Sequence, residues 1–486
     1  MSILAIDQGT SGTKALLVGA GGEVLARGHG DVWIRHGAGG LVECDPVGLW
    51  NSLVEAVSEA TRVGTRDATD PIEAVGLANQ GESILAWDPI TFEPLSPIIV
   101  WQDSRATGLC DERRGAEEMV RSRTGLQIDP YFVAPKMRWL RDHVTTEGVV
   151  TTTDAWLLAK LTGKFVTDIS TSSRTLLLDI QTGKWGDDLV ELWSLSGESL
   201  PEVVACDRII GEITAAELPQ ILGSPLSGAI VDQSAALFAQ SCTSPGEAKC
   251  TYGTGAFLLA NIGRAPKISG HGLATSIAWE LRGERAHYLD GQVFTAASAI
   301  TWLMENGLLA SAEKIDSLPR DSGGVMAVSA LAGFGAPRWK PEGSGAIAGI
   351  SLASTKDHIA RAVVDGIAAQ VTELIQAMNA DGVALQRLRV DGGLTQSHTL
   401  MQMQADLAQI PVDVYPHPDA TALGVAAIAR LGIDAERTIN DAILPWKAVA
   451  TFEPQWSEDR AAEFMSKWQG LANSSQESSQ GRSAHG

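Results

Sequence analysis

The stretch Ile6-Asp7-Gln8-Gly9-Thr10-Ser11-Gly12-Thr13-Lys14 sits between two apolar runs. Ile3-Leu4-Ala5-Ile6 reads as a buried strand, and Ala15-Leu16-Leu17-Val18 reads as the next strand of a hairpin. The turn between them holds an acid, glycines, hydroxyl residues and a lysine. Glycine lets a backbone come close to a phosphate and aim its N–H groups at it. Thr10, Ser11 and Thr13 offer hydroxyl donors, and Lys14 offers a positive charge. Asp7, at the strand end, can hold Mg²⁺ through water, because Mg²⁺ usually keeps several waters. The turn is neither a Walker loop nor a G-x-G-x-x-G turn. The competing reading is a Gly-rich hairpin turn with no ligand. Asp7 is then a turn residue and Lys14 a solvated strand residue.

The pattern recurs further along. Thr251-Tyr252-Gly253-Thr254-Gly255 follows Ala248-Lys249-Cys250 and precedes the apolar run from Ala256 to Ala260. Two such hairpins, one in each half of the chain, could grip a nucleotide's phosphates from both sides. Val390-Asp391-Gly392-Gly393 ends another apolar strand, and Thr421-Ala422-Leu423-Gly424 opens an Ala-rich helix.

Around these turns the chain reads as α/β. Strands are expected at 3–6, 14–18 and near 24–28. A helix over 45–61 carries Leu49, Leu53, Val57 and Ala60 on one face, with Pro46 in its first turn. A strand returns at 72–77. The second half repeats this grammar: hairpin strands over 248–261, a strand near 287–289, a helix over 295–306, a longer helix over 356–379 and a strand over 387–391. Ser244-Pro245-Gly246 is a turn signal that places a break between Gln240 and Gly246. The expected division is 1–242, 243–456 and a closing segment 457–486, which holds a C-terminal helix end and then, from Ala472 to Gly486, a disordered polar tail.

Composition narrows the function classes. A chain of 486 residues has room for two or three domains. Its net charge of −21 argues against nucleic acid or an anionic membrane as a main partner. No apolar run reaches the ~18 residues needed to span a bilayer, and no basic leader precedes the first strand. Five scattered cysteines without a C-x-x-C pair fit reduced thiols in a cytoplasm. The nine histidines show no metal spacing, so no structural zinc is expected.

Further motifs complete the set: Ala78-Asn79-Gln80-Gly81-Glu82, Ile99-Val100-Trp101-Gln102, Thr124-Gly125-Leu126, Asp129-Pro130-Tyr131-Phe132, Asp232-Gln233-Ser234-Ala235-Ala236-Leu237 and Phe334-Gly335-Ala336-Pro337-Arg338-Trp339. Together with the turns above, over about Ser2 to Pro454, they resemble the FGGY family of carbohydrate kinases, and within it the glycerol kinases most closely. The resemblance implies two ribonuclease-H-like domains of the actin–hexokinase superfamily around a catalytic cleft. It also implies ATP and Mg²⁺ as cofactors, a small polyol or sugar as acceptor, and a homo-oligomer, dimer or tetramer.

The resemblance also distributes roles. Asp232 stands where the family places its general base, beside a substrate-binding Gln233, and with Asp7 it is a candidate for the metal. From the residues alone, an Asp opening a helix is read first as an N-cap, and the resemblance reverses that reading. Gly9, Thr10, Ser11, Lys14, Thr254 and Gly255 match the phosphate loops, and Gly392 and Gly393 match the approach to adenosine. Gln80, Gly81, Glu82, Trp101, Tyr131, Asp232 and Gln233 match the polyol pocket. On their own, Trp101 and Tyr131 could be core aromatics and Glu82 a surface charge. Several positions depart from the pattern. Gly81 stands where glycerol kinases carry an arginine that donates to the acceptor, which points to a longer polyol, a small sugar, or glycerol held differently. Ala297 and Thr301 replace a glycine and a glutamine that contact nucleotide. No Gly-Gly-x-x-Arg loop occurs in 212–227, so feedback by a sugar bisphosphate of the kind seen in the family is not expected. Two other functions stay open on sequence: a xylulokinase-type ketopentose kinase, and a non-catalytic nucleotide switch of the actin or heat-shock ATPase architecture.

Overall fold

A computed structural model describes residues 2–64, 71–340 and 343–480. The first apolar run forms strand Ser2–Gln8, which pairs antiparallel with Gly12–Val18 and parallel with Ile72–Asn79. Strand Val24–Asp31 lies beyond Gly12–Val18, and Pro225–Val231 runs parallel to Ile72–Asn79 on the other side. The second half repeats this order. Strand Ala248–Tyr252 pairs antiparallel with Ala256–Gly263 and parallel with Leu388–Asp391, which is followed by Val412–Val414. The repeated architecture read from the pattern is present as two sheets of one topology, with an added strand Ala274–Leu281 at the edge of the second. Antiparallel hairpins need only short turns, whereas parallel neighbours need crossovers, and the helices supply them.

The expected helix near residue 45 spans Pro46–Gly64, and its Leu49, Leu53, Val57 and Ala60 are buried against the first sheet. The longest helix, Lys356–Ala380, begins at Thr355, whose side chain accepts from the His358 N–H. It buries Val363, Ile367, Val371, Leu374 and Met378. Segments on both sides of Ile72–Asn79 in the chain build a smaller sheet from Ile34–His36, Val42–Cys44, Ile98–Ile99, Ile84–Trp87 and Val149–Thr152. This layer holds the segments carrying Glu82 and Trp101.

Two features differ from expectation. Ala472 to Gln480 is not a disordered tail: it continues helix Glu458–Gln480. Ala461, Met465, Trp468 and Ala472 recur at helical spacing and are buried, Trp468 completely, with its indole N–H on the Ala327 carbonyl at 3.0 Å. The Ser- and Gln-rich composition masks that stripe. The rest of the expected tail, 481–486, lies outside the described residues. Helix Ala420–Ile433 belongs by sequence to the second half, yet it packs on the first sheet and on helix Asp232–Ala239. Gly424 makes the crossing possible, since a Cβ there would stand 2.0 Å from the Ala235 carbonyl oxygen. One apolar cluster therefore joins Ile3 and Ala5 of the first half to Leu259 and Ile277 of the second. Among the described residues no helix is long and apolar enough to cross a membrane.

Candidate functional site

The candidate residues cluster where the central strands of both sheets end. Asp7 closes Ser2–Gln8, Gln80-Gly81-Glu82 follows Ile72–Asn79, and Asp232 follows Pro225–Val231. Gly253 follows Ala248–Tyr252, and Gly392 follows Leu388–Asp391. Strand carboxyl ends are where α/β sheets leave a crevice for ligands.

In the first turn the Gly9 N–H bonds to the Gly12 carbonyl at 3.0 Å. The N–H groups of Thr10, Ser11 and Thr254 find no acceptor among the described residues. Unmatched donors in a Gly/Thr turn fit an anion such as a phosphate chain. The hydroxyls divide otherwise than expected. Thr13 is buried and hydrogen-bonded to Ser52 at 2.7 Å, so it is not a donor to the cleft. Its alternation along the strand turns it toward helix Pro46–Gly64. The Thr10 hydroxyl accepts from the Trp101 indole at 2.9 Å, and Ser11 is exposed. Lys14 lies 3.5 Å from Asp419, which also binds Arg27 at 3.1 Å. Gly392 has φ of 95°, and a Cβ there would meet the Tyr252 carbonyl oxygen at 2.4 Å, so only glycine fits. Gly393 has open space where a Cβ would stand. Gly255 passes so near strand Glu284–Val293 that a Cβ would meet the Val293 carbonyl at 2.4 Å.

The Asp7 carboxyl receives no hydrogen bond among the described residues, and burial pushes it up to about 6, with Lys14 pulling down and Asp419 pushing up. Asp232 is the first residue of its helix, and its carboxylate takes the neighbouring Gln233 N–H at 2.6 Å rather than an N–H further into the turn. It is not a helix cap. Burial pushes it up to about 7, helped by the charges of Asp7 and Glu82 and opposed by Lys249. An arriving cation would lower both carboxyls. No group of three His, Cys, Asp or Glu side chains forms a metal cage among the described residues. One or two carboxylates plus phosphate oxygens and water are the usual Mg²⁺ set, and Asp7 and Asp232 could supply that.

An aromatic cluster and a set of buried charges stand near Asp232. Trp101 packs edge-on to Tyr131 at 5.7 Å and to Phe257 at 6.0 Å. Glu82 is buried, not a surface charge, and sits in the left-handed region with φ of 56°. Such strain in a non-glycine residue persists only where its surroundings impose it. Arg174 holds the Glu82 carboxylate, donating to it at 2.5 Å and to Ser276 at 3.0 Å, and pairing with Asp290 at 2.7 Å. Burial raises Glu82 and Asp290, with Arg174 pulling both down. Gln80 is buried and bonds to the Gln8 carbonyl through its N–H at 2.9 Å. At Gly81 a Cβ would meet Val231 Cγ2 at 3.1 Å.

Arg174, Asp290, Lys249 and Phe257 escaped the sequence reading. Arg174 carried one usable signal, a charge set in the run Ser172-Ser173-Arg174-Thr175-Leu176-Leu177. A charge in an otherwise buried run implies a buried partner. Nothing local names that partner as Glu82 or Asp290.

Comparison with known proteins gives a consistent picture. Models of the FGGY family of carbohydrate kinases match the chain twice, the N-terminal domain over residues 2–239 and the C-terminal domain over residues 248–432. The chain is 41% identical to a glycerol kinase of Alkalilimnicola ehrlichii over 96% of this chain and 97% of that one. Its fold is similar to a crystal structure of Plasmodium falciparum glycerol kinase with ADP, with a TM-score of 0.91 and 30% identity over 98% of each chain. A ligand-bound xylulose kinase of Lactobacillus acidophilus shares the fold at a TM-score of 0.88 and 19% identity, covering 97% of this chain and 98% of that one.

Proposed function

The chain belongs to the FGGY family of carbohydrate kinases, a phosphotransferase family acting on alcohol groups, and from that premise we propose that it phosphorylates a hydroxyl of a small polyol or sugar with Mg-ATP, using Asp232 as general base. Phosphoryl transfer asks little covalent chemistry of a protein. It asks for a positioned hydroxyl, a carboxylate to take its proton, and charge compensation at the phosphates. Asp232 carries the reading: it is a desolvated carboxylate with one backbone hydrogen bond, close enough to Asp7, Glu82 and Lys249 to feel their charges. Its free oxygen accepts the hydroxyl proton as the acceptor oxygen attacks. Glu82, held by Arg174, accepts from a second hydroxyl, while Trp101 and Tyr131 pack on the carbon chain. Thr10, Ser11, Thr254 and Gly255 seat the phosphates, Lys14 adds charge beside them, and Gly392 and Gly393 let the nucleoside approach. Asp7 would hold Mg²⁺, which would supply charge compensation at the phosphates. The curated relative is a glycerol kinase, but Gly81 removes the guanidinium that its family uses on glycerol, so the acceptor is a polyol longer than glycerol, a small sugar, or glycerol held differently.

The decisive experiment is an ATP-consumption screen over glycerol, erythritol, threitol, xylitol, ribulose and xylulose, with Asp232→Asn as control. Turnover with at least one alcohol, lost in the control, supports the reading. ATP binding with no turnover on any of them overturns it. Preference for a ketopentose over every polyol selects the xylulokinase-type alternative.

A further inference from the structure

Lys249 is wholly buried in strand Ala248–Tyr252. No carboxylate lies within ion-pair distance of it among the described residues; its ammonium donates to Gln233 Oε1 at 2.5 Å and to Thr251 Oγ1 at 2.8 Å. Asp232 and Asp290 feel its charge, yet the ammonium itself contacts only two neutral acceptors, a costly burial that calls for a purpose. The Thr251 hydroxyl has one proton and spends it on Asp391 Oδ1 at 2.5 Å, leaving a lone pair for the lysine. The four groups form a one-way chain of donors from Lys249 to Gln233 on one side and through Thr251 to Asp391 on the other. Gln233 belongs to the first sheet's side of the cleft. Asp391 belongs to the second and adjoins Gly392-Gly393.

A lysine only donates. The amide oxygen of Gln233 must therefore face Lys249, and its NH₂ group, which has no partner among the described residues, must face away. We propose that Lys249 is a positioning residue that fixes the Gln233 amide to donate to an acceptor hydroxyl oxygen, and that through Thr251 it ties this orientation to Asp391, so that acceptor and nucleotide binding are coupled across the cleft. The proposal rests on the kinase reading above. Coupling of this kind is reciprocal: nucleotide held at Asp391 tightens acceptor binding by the same factor as acceptor tightens nucleotide.

The test uses the full chain, the best acceptor from the screen, ATP for kinetics and ADP for binding. Lys249→Met removes the donors at similar length and is expected to raise the acceptor KM by about tenfold or more, the scale of one charged hydrogen bond, with the ATP KM changed less than about twofold. Lys249→Arg, which keeps donors for Gln233 Oε1, is expected to recover most of that loss. Thr251→Val keeps shape and removes the relay hydroxyl. Calorimetry should show each single-ligand Kd of that variant nearly unchanged, while the tightening of acceptor by ADP disappears. An unaltered acceptor KM in Lys249→Met, or equal loss for ATP and acceptor with no recovery in Lys249→Arg, overturns the positioning role. Full coupling retained in Thr251→Val overturns the relay, and remains readable even if Lys249→Met does not fold. A parent protein that phosphorylates nothing removes the kinase reading and this inference with it. A parent that phosphorylates its acceptor beside an indifferent Lys249→Met removes this inference alone.

Discussion

At the scale of single residues the central claim concerns a proton. Asp232→Asn keeps the size and the hydrogen bond from the Gln233 N–H but removes the proton acceptor. General-base catalysis contributes ~10²–10⁴-fold, so kcat should fall by about that much with nucleotide affinity little changed. Near-normal kcat on the true acceptor would rule the assignment out. Asp7 is expected to act on the cation instead. Asp7→Ala should lower activity by about tenfold or more at limiting Mg²⁺ and recover in part as Mg²⁺ is raised, because the ion supplies charge compensation in transfer. A Mg²⁺ titration superimposable on that of the parent would make Asp7 structural. Gly81 should set acceptor choice. Gly81→Arg restores a charged donor next to Glu82, although its first carbon must pass Val231 Cγ2 at 3.1 Å. The ratio of kcat/KM for glycerol to that for the native acceptor should rise by a factor worth on the order of 1–3 kcal/mol. A flat ratio in a folded variant would mean that position 81 does not face the acceptor.

At the scale of elements, the strands and turns were legible because their code is local. An apolar run, a glycine turn and a second apolar run specify a hairpin within a dozen residues, and both Gly/Thr hairpins formed where the pattern put them. The C-terminal helix was legible only as a helix end, and its continuation to Gln480 was not, because Ser and Gln dilute a stripe of widely spaced anchors. That helix can be tested through its deepest anchor. Trp468→Ala removes a fully buried indole and its hydrogen bond to Ala327, and should destabilise the protein by about 3–5 kcal/mol in chemical denaturation. A loss below ~1 kcal/mol would show that the helix docks without contributing to the core. The Asp232 cap reading failed for a related reason. Sequence shows that an Asp opens a helix, but not that its carboxylate turns back to the first N–H and leaves an oxygen free for the cleft.

At the scale of the whole molecule, burial of carboxylates makes stability depend on pH. Asp154 is buried, takes a hydrogen bond from the Thr167 hydroxyl at 2.7 Å on one oxygen and has no partner on the other. Burial pushes it up to about 7, and the neighbouring Asp168 carboxylate adds to the rise. A carboxyl raised in the fold favours the protonated state, so its contribution is fully present below the unfolded value near 4 and is lost as pH climbs toward 7. Asp154→Asn should therefore gain stability relative to the parent between pH 5 and pH 8, by on the order of 2 kcal/mol. Asp7 and Asp232 titrate in the same window, so the difference between variant and parent is the quantity to measure. A difference that stays constant from pH 5 to pH 8 would show that Asp154 is ionised in the fold throughout.

The sequence by itself determined the two sheets, their hairpin turns, the family and the positions of Asp7, Asp232 and the Gly/Thr loops, because each is written in a short contiguous segment. The tertiary structure alone decided what those segments meet. Glu82 and Arg174 are 92 residues apart, and Arg174 meets Ser276 across 102 more. Helix Ala420–Ile433 crosses back to the first sheet because Gly424 admits the Ala235 backbone. Gln233 has its amide set by Lys249 from the opposite sheet. Such pairs form only when the chain closes over a cleft and burial makes an unpaired charge too costly to leave, and that penalty depends on the whole fold rather than on any stretch of it.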